Sequence, residues 1–137
     1  MSEQNVAIVR AIFERDDTWD KEGILAALPE MVPALFTPDA EWTEAPERVD
    51  AKTYRGHEGI QRSFEHWLEQ WDEYQVEAER IEDLGDHVLV VARERARGHG
   101  SGAPAEATVY AVFTFRDSRV ARYREFYDES AARASIP

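Results

Sequence analysis

The sequence of 137 residues contains no cysteine and no long apolar run. The absence of cysteine excludes disulfides, thiolate nucleophiles and zinc–thiolate sites. The apolar runs, such as residues 88–92, are too short to span a bilayer, and we therefore predict no membrane segment. A secretory signal has a basic stretch followed by an apolar one, and residues 1–10 lack this pattern. The expected location is the cytoplasm.

Basic residues are in the minority, with 16 Lys and Arg against 28 Asp and Glu and a formal net charge of −12. A chain this acidic repels phosphate backbones and anionic lipid surfaces, so neither nucleic acid nor membrane is an expected partner. Hydrophobic residues make up 43% and include 4 Trp, 5 Tyr and 6 Phe. These hydrophobic residues are enough to form one core, and we predict a single domain over residues 1–137.

Patterns that bind metals or phosphates are also missing. The four histidines show no i, i+4 pair, and no acidic loop has the ligand spacing of a calcium site; they are His57, His66, His87 and His99. The glycine cluster in residues 98–102 lacks the Lys-Ser or Lys-Thr of a phosphate-binding loop and is typical of a hairpin tip. We predict no metal and no cofactor. Of the histidines, only His66 lies close enough to an apolar helix face to reach a pocket.

The order of elements is helices first and then strands, with one helix returning between them, which favours an α+β fold. Ser2 is positioned to cap a first helix and Asp20 a second, and Pro29 predicts an interruption of that second helix. Thr37-Pro38-Asp39 predicts a turn, residues 40–45 a strand and residues 47–55 a loop. Four further strands are predicted at residues 74–84, 87–97, 105–116 and 120–128.

The clearest helix follows Gly56. Its apolar residues recur at i, i+4, i+7, i+8 and i+11 and form one stripe that should pack on the core; they are Ile60, Phe64, Trp67, Leu68 and Trp71. Trp67 could also reach a ligand from that face. The C-terminal residues 130–137 are small and polar and predict at most one fraying helical turn.

Two pairs of segments carry a resemblance to a known family. They are residues 36–42 with 54–60, and residues 113–117 with 120–128. Together they resemble the SnoaL-like branch of the nuclear-transport-factor-2-like superfamily, over nearly the whole chain. The resemblance implies a cone-shaped, curved, mostly antiparallel sheet packed on a long helix with N-terminal helices, enclosing a pocket. It also implies a homodimer. Because the superfamily contains isomerases, cyclases, hydrolases and non-catalytic binders, its fold does not decide the activity.

Alternation along the strands predicts which side chains share a face. Trp42 lies with Glu44, and Glu94 lies with Ala92, opposite the row Arg93, Arg95 and Arg97. Val109 shares a face with Ala111, and Tyr123 with Glu125. Periodicity alone does not say which face is concave. The resemblance to limonene epoxide hydrolases places Trp42, Glu44, Glu94 and Glu125 on the pocket side. The implied walls are Trp42, Phe64, Trp67, Val109, Ala111 and Tyr123.

The three inward carboxylates are the catalytic candidates: Glu44, Glu94 and Glu125. Burial and mutual repulsion raise a carboxyl pKa and make it a usable acid or base near neutral pH. Alternatively, each could pair with an arginine and do no chemistry. The resemblance places Glu44 at the proton-shuttling carboxylate of ketosteroid isomerases, and Glu94 and Glu125 at the two catalytic acids of the epoxide hydrolases.

Departures from both relatives limit what can be carried over. The arginine of the epoxide hydrolases corresponds to Ala92 and their asparagine to Glu44, while the second acid of the isomerases corresponds to Ala111. The surviving hypothesis is a cofactor-free isomerase, cyclase or hydrolase in which Glu44 or Glu125 transfers a proton on a small hydrophobic substrate. The alternatives are a non-catalytic binder of a hydrophobic metabolite and a dimerising scaffold with a vestigial pocket.

Overall fold

The computed structural model of the protein describes residues 2–14 and 19–137. This part of the chain contains four helices and seven strands. In order they are α1 (Ser2–Phe13), β1 (Trp19–Asp20), α2 (Lys21–Leu35), β2 (Phe36–Thr43), β3 (Thr53–Arg55), α3 (Gly56–Leu68), β4 (Trp71–Leu84), β5 (His87–Gly98), β6 (Pro104–Arg116), β7 (Arg119–Phe126) and α4 (Glu129–Ala134).

The strands form one curved, open sheet in the order β1-β4-β5-β6-β7-β2-β3. Neighbouring strands are antiparallel except β2 and β7, which run parallel. Register shifts interrupt the ladders of β2, β4 and β6, and such bulges bend a strand and increase its twist. α1 packs against β4 and β5, and α3 against β2. The predicted α+β class with a curved, mostly antiparallel sheet is confirmed.

The second helix differs from its prediction, because Pro29 does not interrupt it. α2 is continuous through both Pro29 and Pro33. Both prolines are solvent-exposed, so water can bind the carbonyls that lose their helical hydrogen bonds. The opposite side of the helix buries Ile24 and Leu28, and this packing outweighs the local preference for a break.

The turn predicted at Thr37-Pro38-Asp39 is wrong. These residues belong to β2, where the pairing with β7 shifts register between Phe36 and Glu41. β3 pairs with β2 only from Glu41 onward. Pro38 therefore lies on an unpaired stretch of the strand, where its missing N–H costs no ladder hydrogen bond.

The α3 helix is confirmed but ends earlier than its stripe suggested. It stops at Leu68, and Trp71 begins β4 instead. The predicted loop 47–55 contains the short strand β3 at its end. The C-terminal tail forms α4, capped by the Asp128 side chain, which accepts a hydrogen bond of 3.1 Å from the Ala131 N–H. This helix packs on the outer face of the sheet through the buried side chain of Ala132.

The main core lies between the helices and the inner face of the sheet. Val9, Ile60 and Val90 are fully buried there, one each from α1, α3 and β5. Within residues 2–14 and 19–137, no helix combines the length and the apolar character needed to cross a membrane. The core does not fill this space completely, and the remaining gap is the candidate site.

Candidate functional site

The alternation of side chains along the strands brings the candidate residues to one face of the sheet. Ala111 of β6 lies opposite Glu125 of β7, and Trp42 of β2 lies beside Tyr123 of β7. Glu94 of β5 lies opposite Ala107. All three candidate carboxylates are buried: Glu44 is 7% exposed, Glu94 8% and Glu125 6%. The strands β5 and β7 therefore place Glu94 and Glu125 on the side of the sheet that faces the helices, and Glu44 follows the end of β2.

A cavity of about 110 Å³ lies between this face and the helices. It is lined by all six side chains that the resemblance implied as walls: Trp42, Phe64, Trp67, Val109, Ala111 and Tyr123. α1 and α2 close it with further apolar side chains, among them Phe13 and Met31. A second hollow of about 150 Å³ adjoins it and shares Trp67, Tyr74 and Glu94 with it. The walls suit an apolar ligand.

Aromatic contacts hold one wall of the cavity rigid. The rings of Trp42 and Tyr123 are stacked, with centroids 3.6 Å apart and planes 16° from parallel. Phe64 packs on Trp42 with centroids 4.6 Å apart, and Phe113 meets Tyr123 edge-on at 5.0 Å. Such ring contacts add to the stability gained from burial alone and fix the positions of the rings.

One end of the cavity is polar. Glu94 and Glu125 both line it, and each accepts a hydrogen bond from a buried tyrosine hydroxyl. Tyr74 Oη donates to Glu94 Oε2, and Tyr123 Oη donates to Glu125 Oε2 at 2.8 Å. An apolar chamber with two carboxyl groups at one end suits proton transfer to or from a bound molecule.

Arg48 completes this polar end and was not predicted from the sequence. It comes from the loop after β2, and its Nη1 lies 2.8 Å from Glu125 Oε1. Its Nη2 lies 3.9 Å from Glu94 Oε1. Its side chain is only 10% exposed. A signal was present, since three inward carboxylates require a nearby cation and Arg48 follows Glu44 by four residues.

Glu44 lies beside the cavity but does not line its wall. Its Oε1 accepts a hydrogen bond of 3.2 Å from the Lys52 backbone N–H, and its Oε2 is 4.0 Å from Arg48 Nη1. The Glu44 backbone N–H also donates to the Lys52 carbonyl at 3.1 Å. These contacts close the loop that carries Arg48. Of the three predicted catalytic glutamates, the structure therefore brings Glu94 and Glu125, but not Glu44, to the cavity surface.

The environment raises the pKa of both carboxyls at the polar end. Burial raises the pKa of Glu125 to about 7, against the opposing effect of Arg48 and with a further increase from the Glu94 charge. Burial also raises the pKa of Glu94, which the Tyr74 hydrogen bond and Arg48 partly offset. Glu125 therefore changes protonation state near neutral pH, as an acid–base catalyst needs to do.

The remaining candidates lie elsewhere. His66 is exposed and does not line the cavity, and His57 Nε2 contacts the Phe36 carbonyl at 2.9 Å. The described part of the chain contains no cluster of three or more His, Asp or Glu side chains able to hold a metal. The outward arginine row is neutralised within the chain, because Arg93 and Arg95 contact Glu106 and Arg97 contacts Glu73.

Sequence comparison shows the family. The chain matches the SnoaL-like domain over residues 4–123, which is most of its length, and it belongs to this family. No curated protein matches the sequence. Arg48 brings a guanidinium to both Glu94 and Glu125 from the loop after β2.

Solved structures show the same fold. A putative SnoaL-like polyketide cyclase from Jannaschia sp. CCS1 has a TM-score of 0.75 and 23% identity, covering 98% of this chain and 94% of that one. Bal32a from a soil-derived mobile gene cassette has a TM-score of 0.74 and 21% identity, covering 98% and 97%. TerC, co-crystallized with polyporic acid, has a TM-score of 0.65 and 21% identity, covering 96% of each chain. At these identities the likeness shows the fold alone.

Proposed function

We propose that this protein is a cofactor-free enzyme of the polyketide-cyclase or isomerase type, with Glu125 as its proton-transfer residue. The observation that carries the proposal is a carboxyl group buried at the polar end of an apolar cavity, with a pKa raised to about 7. Glu125 takes the role that the sequence left open between Glu44 and Glu125, because Glu44 does not line the cavity. The substrate class is a small, apolar carbonyl compound.

The proposed reaction begins with Glu125 as a carboxylate. It removes a proton from the carbon next to the substrate carbonyl, and the C–H electron pair moves onto the carbonyl oxygen to form an enolate. Isomerisation follows if the proton returns to a different carbon. Cyclisation follows if the enolate carbon attacks a second carbonyl of the same molecule, whose π electron pair moves onto its oxygen and takes back the proton from Glu125. Trp42 and Tyr123 would pack on the substrate and exclude water.

Proton exchange tests this reaction without knowledge of the natural substrate. Small cyclic ketones such as cyclohexanone and 2-cyclohexenone would be incubated with the protein in D₂O, and loss of the proton next to the carbonyl would be followed by ¹H NMR. We expect the exchange rate to rise with pH through about 7, where Glu125 loses its proton. We expect E125Q to lower the rate by roughly 10²–10⁴-fold, the usual contribution of a general base.

E106Q is the matched control, because Glu106 carries the same side chain on the outer face of the sheet. It should exchange protons at the rate of the unsubstituted protein. If E125Q and E106Q exchange protons at the same rate, Glu125 does not transfer the proton. If ketones bind in the cavity without any exchange above the buffer rate, the protein is not an enzyme of this type.

A second candidate is a non-catalytic binder of a hydrophobic metabolite. The observation favouring it is that each carboxyl already accepts a tyrosine hydrogen bond and lies within ion-pair distance of Arg48, an arrangement that a purely structural network would also have. A binder predicts that E125Q keeps its affinity for apolar ligands while no turnover occurs in either protein. Calorimetric titration with the same ketones, run beside the exchange assay, separates the two functions.

The homodimer, the cytoplasmic location and the hydrophobic nature of the ligand also stay predictions. The family resemblance supports the dimer, and sedimentation of the purified protein would test it. The outer arginine row does not require a partner, since its charges are met by Glu73 and Glu106 of the same chain.

A further inference from the structure

The guanidinium of Arg48 is held in one orientation at the polar end of the cavity. Its Nε donates a hydrogen bond of 2.9 Å to Tyr127 Oη. Its Cζ lies 3.7 Å from the centroid of the Trp67 ring, in cation–π contact. A hydrogen bond at one edge and a ring against one face fix the plane of the group. Each of the two terminal nitrogens lies within 4.0 Å of a carboxylate oxygen.

These terminal nitrogens retain hydrogen-bonding capacity. Nη1 forms an ion pair of 2.8 Å with Glu125 Oε1, but no N–H of Arg48 points along this line as it would in a hydrogen bond. Glu44 and Glu94 are 4.0 Å and 3.9 Å away, beyond hydrogen-bond distance. Arg48 lines the cavity, so its free N–H groups are available to an oxygen atom of a molecule bound there.

We propose that Arg48 is a second catalytic residue, whose terminal N–H groups bind the substrate's carbonyl oxygen and stabilise the negative charge that develops on it. This inference rests on the proposed function and adds to it the group that receives the charge. The substrate is then a small apolar molecule that presents one carbonyl or enol oxygen beside its acidic C–H bond. Positioned donors of this kind act most strongly in a site shielded from water.

The charge balance of the site supports this assignment. One guanidinium faces Glu44, Glu94 and Glu125, with the hydroxyls of Tyr74, Tyr123 and Tyr127 around them. A substrate that arrives already charged as a carboxylate would add to this negative charge and be repelled. An enolate made inside the site differs, because Glu125 loses its charge as the substrate gains one. Arg48 is therefore close to the negative charge both before the proton transfer, on Glu125, and after it, on the substrate oxygen.

Fluorinated aromatics provide a direct test. 4-Fluorophenol carries an acidic hydroxyl that can give its proton to Glu125 and leave a phenolate oxygen for Arg48, and fluorobenzene has the same ring without the oxygen. Binding would be measured by ¹⁹F NMR, whose shift also reports whether the bound phenol is neutral or ionised. We expect 4-fluorophenol to bind about tenfold or more tightly than fluorobenzene, the effect of one charge-assisted hydrogen bond.

R48M should remove this preference, so that the ratio of the two affinities, which is the quantity compared, falls to about one. Because R48M leaves carboxylates without their cation, R48K is the second variant: it keeps the charge, lacks the forked geometry and should lose most of the preference. R95M on the outer face is the control and should bind both probes normally. If R48M or R48K retains the full preference for the phenol, or if the unsubstituted protein shows no such preference or binds neither probe, the inference is overturned.

E125Q separates this inference from the proposed function. If Glu125 accepts the proton, E125Q should bind 4-fluorophenol in its neutral form and still prefer it over fluorobenzene through Arg48. If the bound phenol is ionised equally in E125Q, Glu125 is not the proton acceptor, although Arg48 still receives the oxygen. If ionisation depends on Glu125 while R48M binds like the unsubstituted protein, Glu125 keeps its role and Arg48 has none.

Discussion

A glutamate and an arginine lie close together on each face of β5, but the two pairs have opposite surroundings. On the inner face Glu94 is buried, contacts Tyr74 and Arg48, and has its pKa raised by burial. On the outer face Arg93 pairs with Glu106 at the surface, and this contact lowers the pKa of the Glu106 carboxyl. An arginine is near both glutamates, yet their pKa values move in opposite directions.

The difference shows that desolvation, rather than the presence of a counter-charge, makes a carboxyl useful for chemistry here. At the surface, water solvates both partners and the ion pair stabilises only the charged form. In the cavity, the loss of hydration exceeds the attraction of Arg48, so the neutral acid is accessible near neutral pH. Four substitutions test this contrast, ordered from the largest expected effect to the smallest.

Removal of the buried cation should have the largest effect. We expect R48M to lower the free energy of unfolding at pH 8 by about 3–5 kcal/mol, the usual cost of leaving buried charges unpaired. The loss should be smaller at pH 5, where the raised pKa of Glu125 and Glu94 lets these groups bind protons. Urea denaturation measures both values. R95M is the surface control and should unfold at the normal urea concentration; equal losses in the two variants would contradict the contrast.

Glu125 should make stability depend on pH. Its pKa is about 7 in the folded protein against a reference value of 4.5. A raised pKa contributes stability below pH 4.5 that is lost as pH increases through 7. The side chain at position 125 stays neutral in E125Q. The free energy of unfolding of E125Q should therefore exceed that of the unsubstituted protein by an amount that grows as the pH rises from 4.5 through 7, up to about 3 kcal/mol. Denaturation curves at pH 4 and pH 8 measure the gain, and a stability difference independent of pH would refute it.

The Tyr123 hydroxyl should have an intermediate effect. Its hydrogen bond to Glu125 favours the carboxylate and lowers the pKa of that group. Y123F should therefore raise the pKa of Glu125 above about 7, by roughly one unit, the size of a typical net hydrogen bond. A ¹³C NMR titration of the glutamate carboxyls measures the shift. Y110F is the control, since Tyr110 packs on the outer face; a shift of the same size in Y110F would show that the effect is not local.

The exposed ion pair should have the smallest effect. E106Q removes the partner of Arg93 and Arg95, and we expect no measurable change in its thermal midpoint in physiological salt. Calorimetry at low and high salt checks this expectation. A clear loss of stability in E106Q would show that the outer charges are coupled as strongly as those of the cavity, and the contrast between the two faces would fail.

Much of the fold and part of the candidate site could be predicted from the sequence. The apolar stripe of α3 and the alternation along β5, β6 and β7 are local patterns with fixed periods. These periods placed Tyr123 with Glu125 and Glu94 with Ala92, and the family resemblance placed both pairs on the inner face. The break at Pro29 and the turn at Thr37-Pro38-Asp39 were wrong, because packing of the surrounding residues overrode local backbone preferences.

The sequence by itself determined which side chains share a face, since neighbouring residues of a strand point to opposite sides wherever the strand lies. Only the tertiary structure decided which cation meets the buried acids. Arg48 contacts Tyr127 across 79 positions of the chain, and no local period relates the two. The position of a loop side chain depends on how distant strands pack. That packing brought Arg48 to Glu125 and left Glu44 outside the cavity wall.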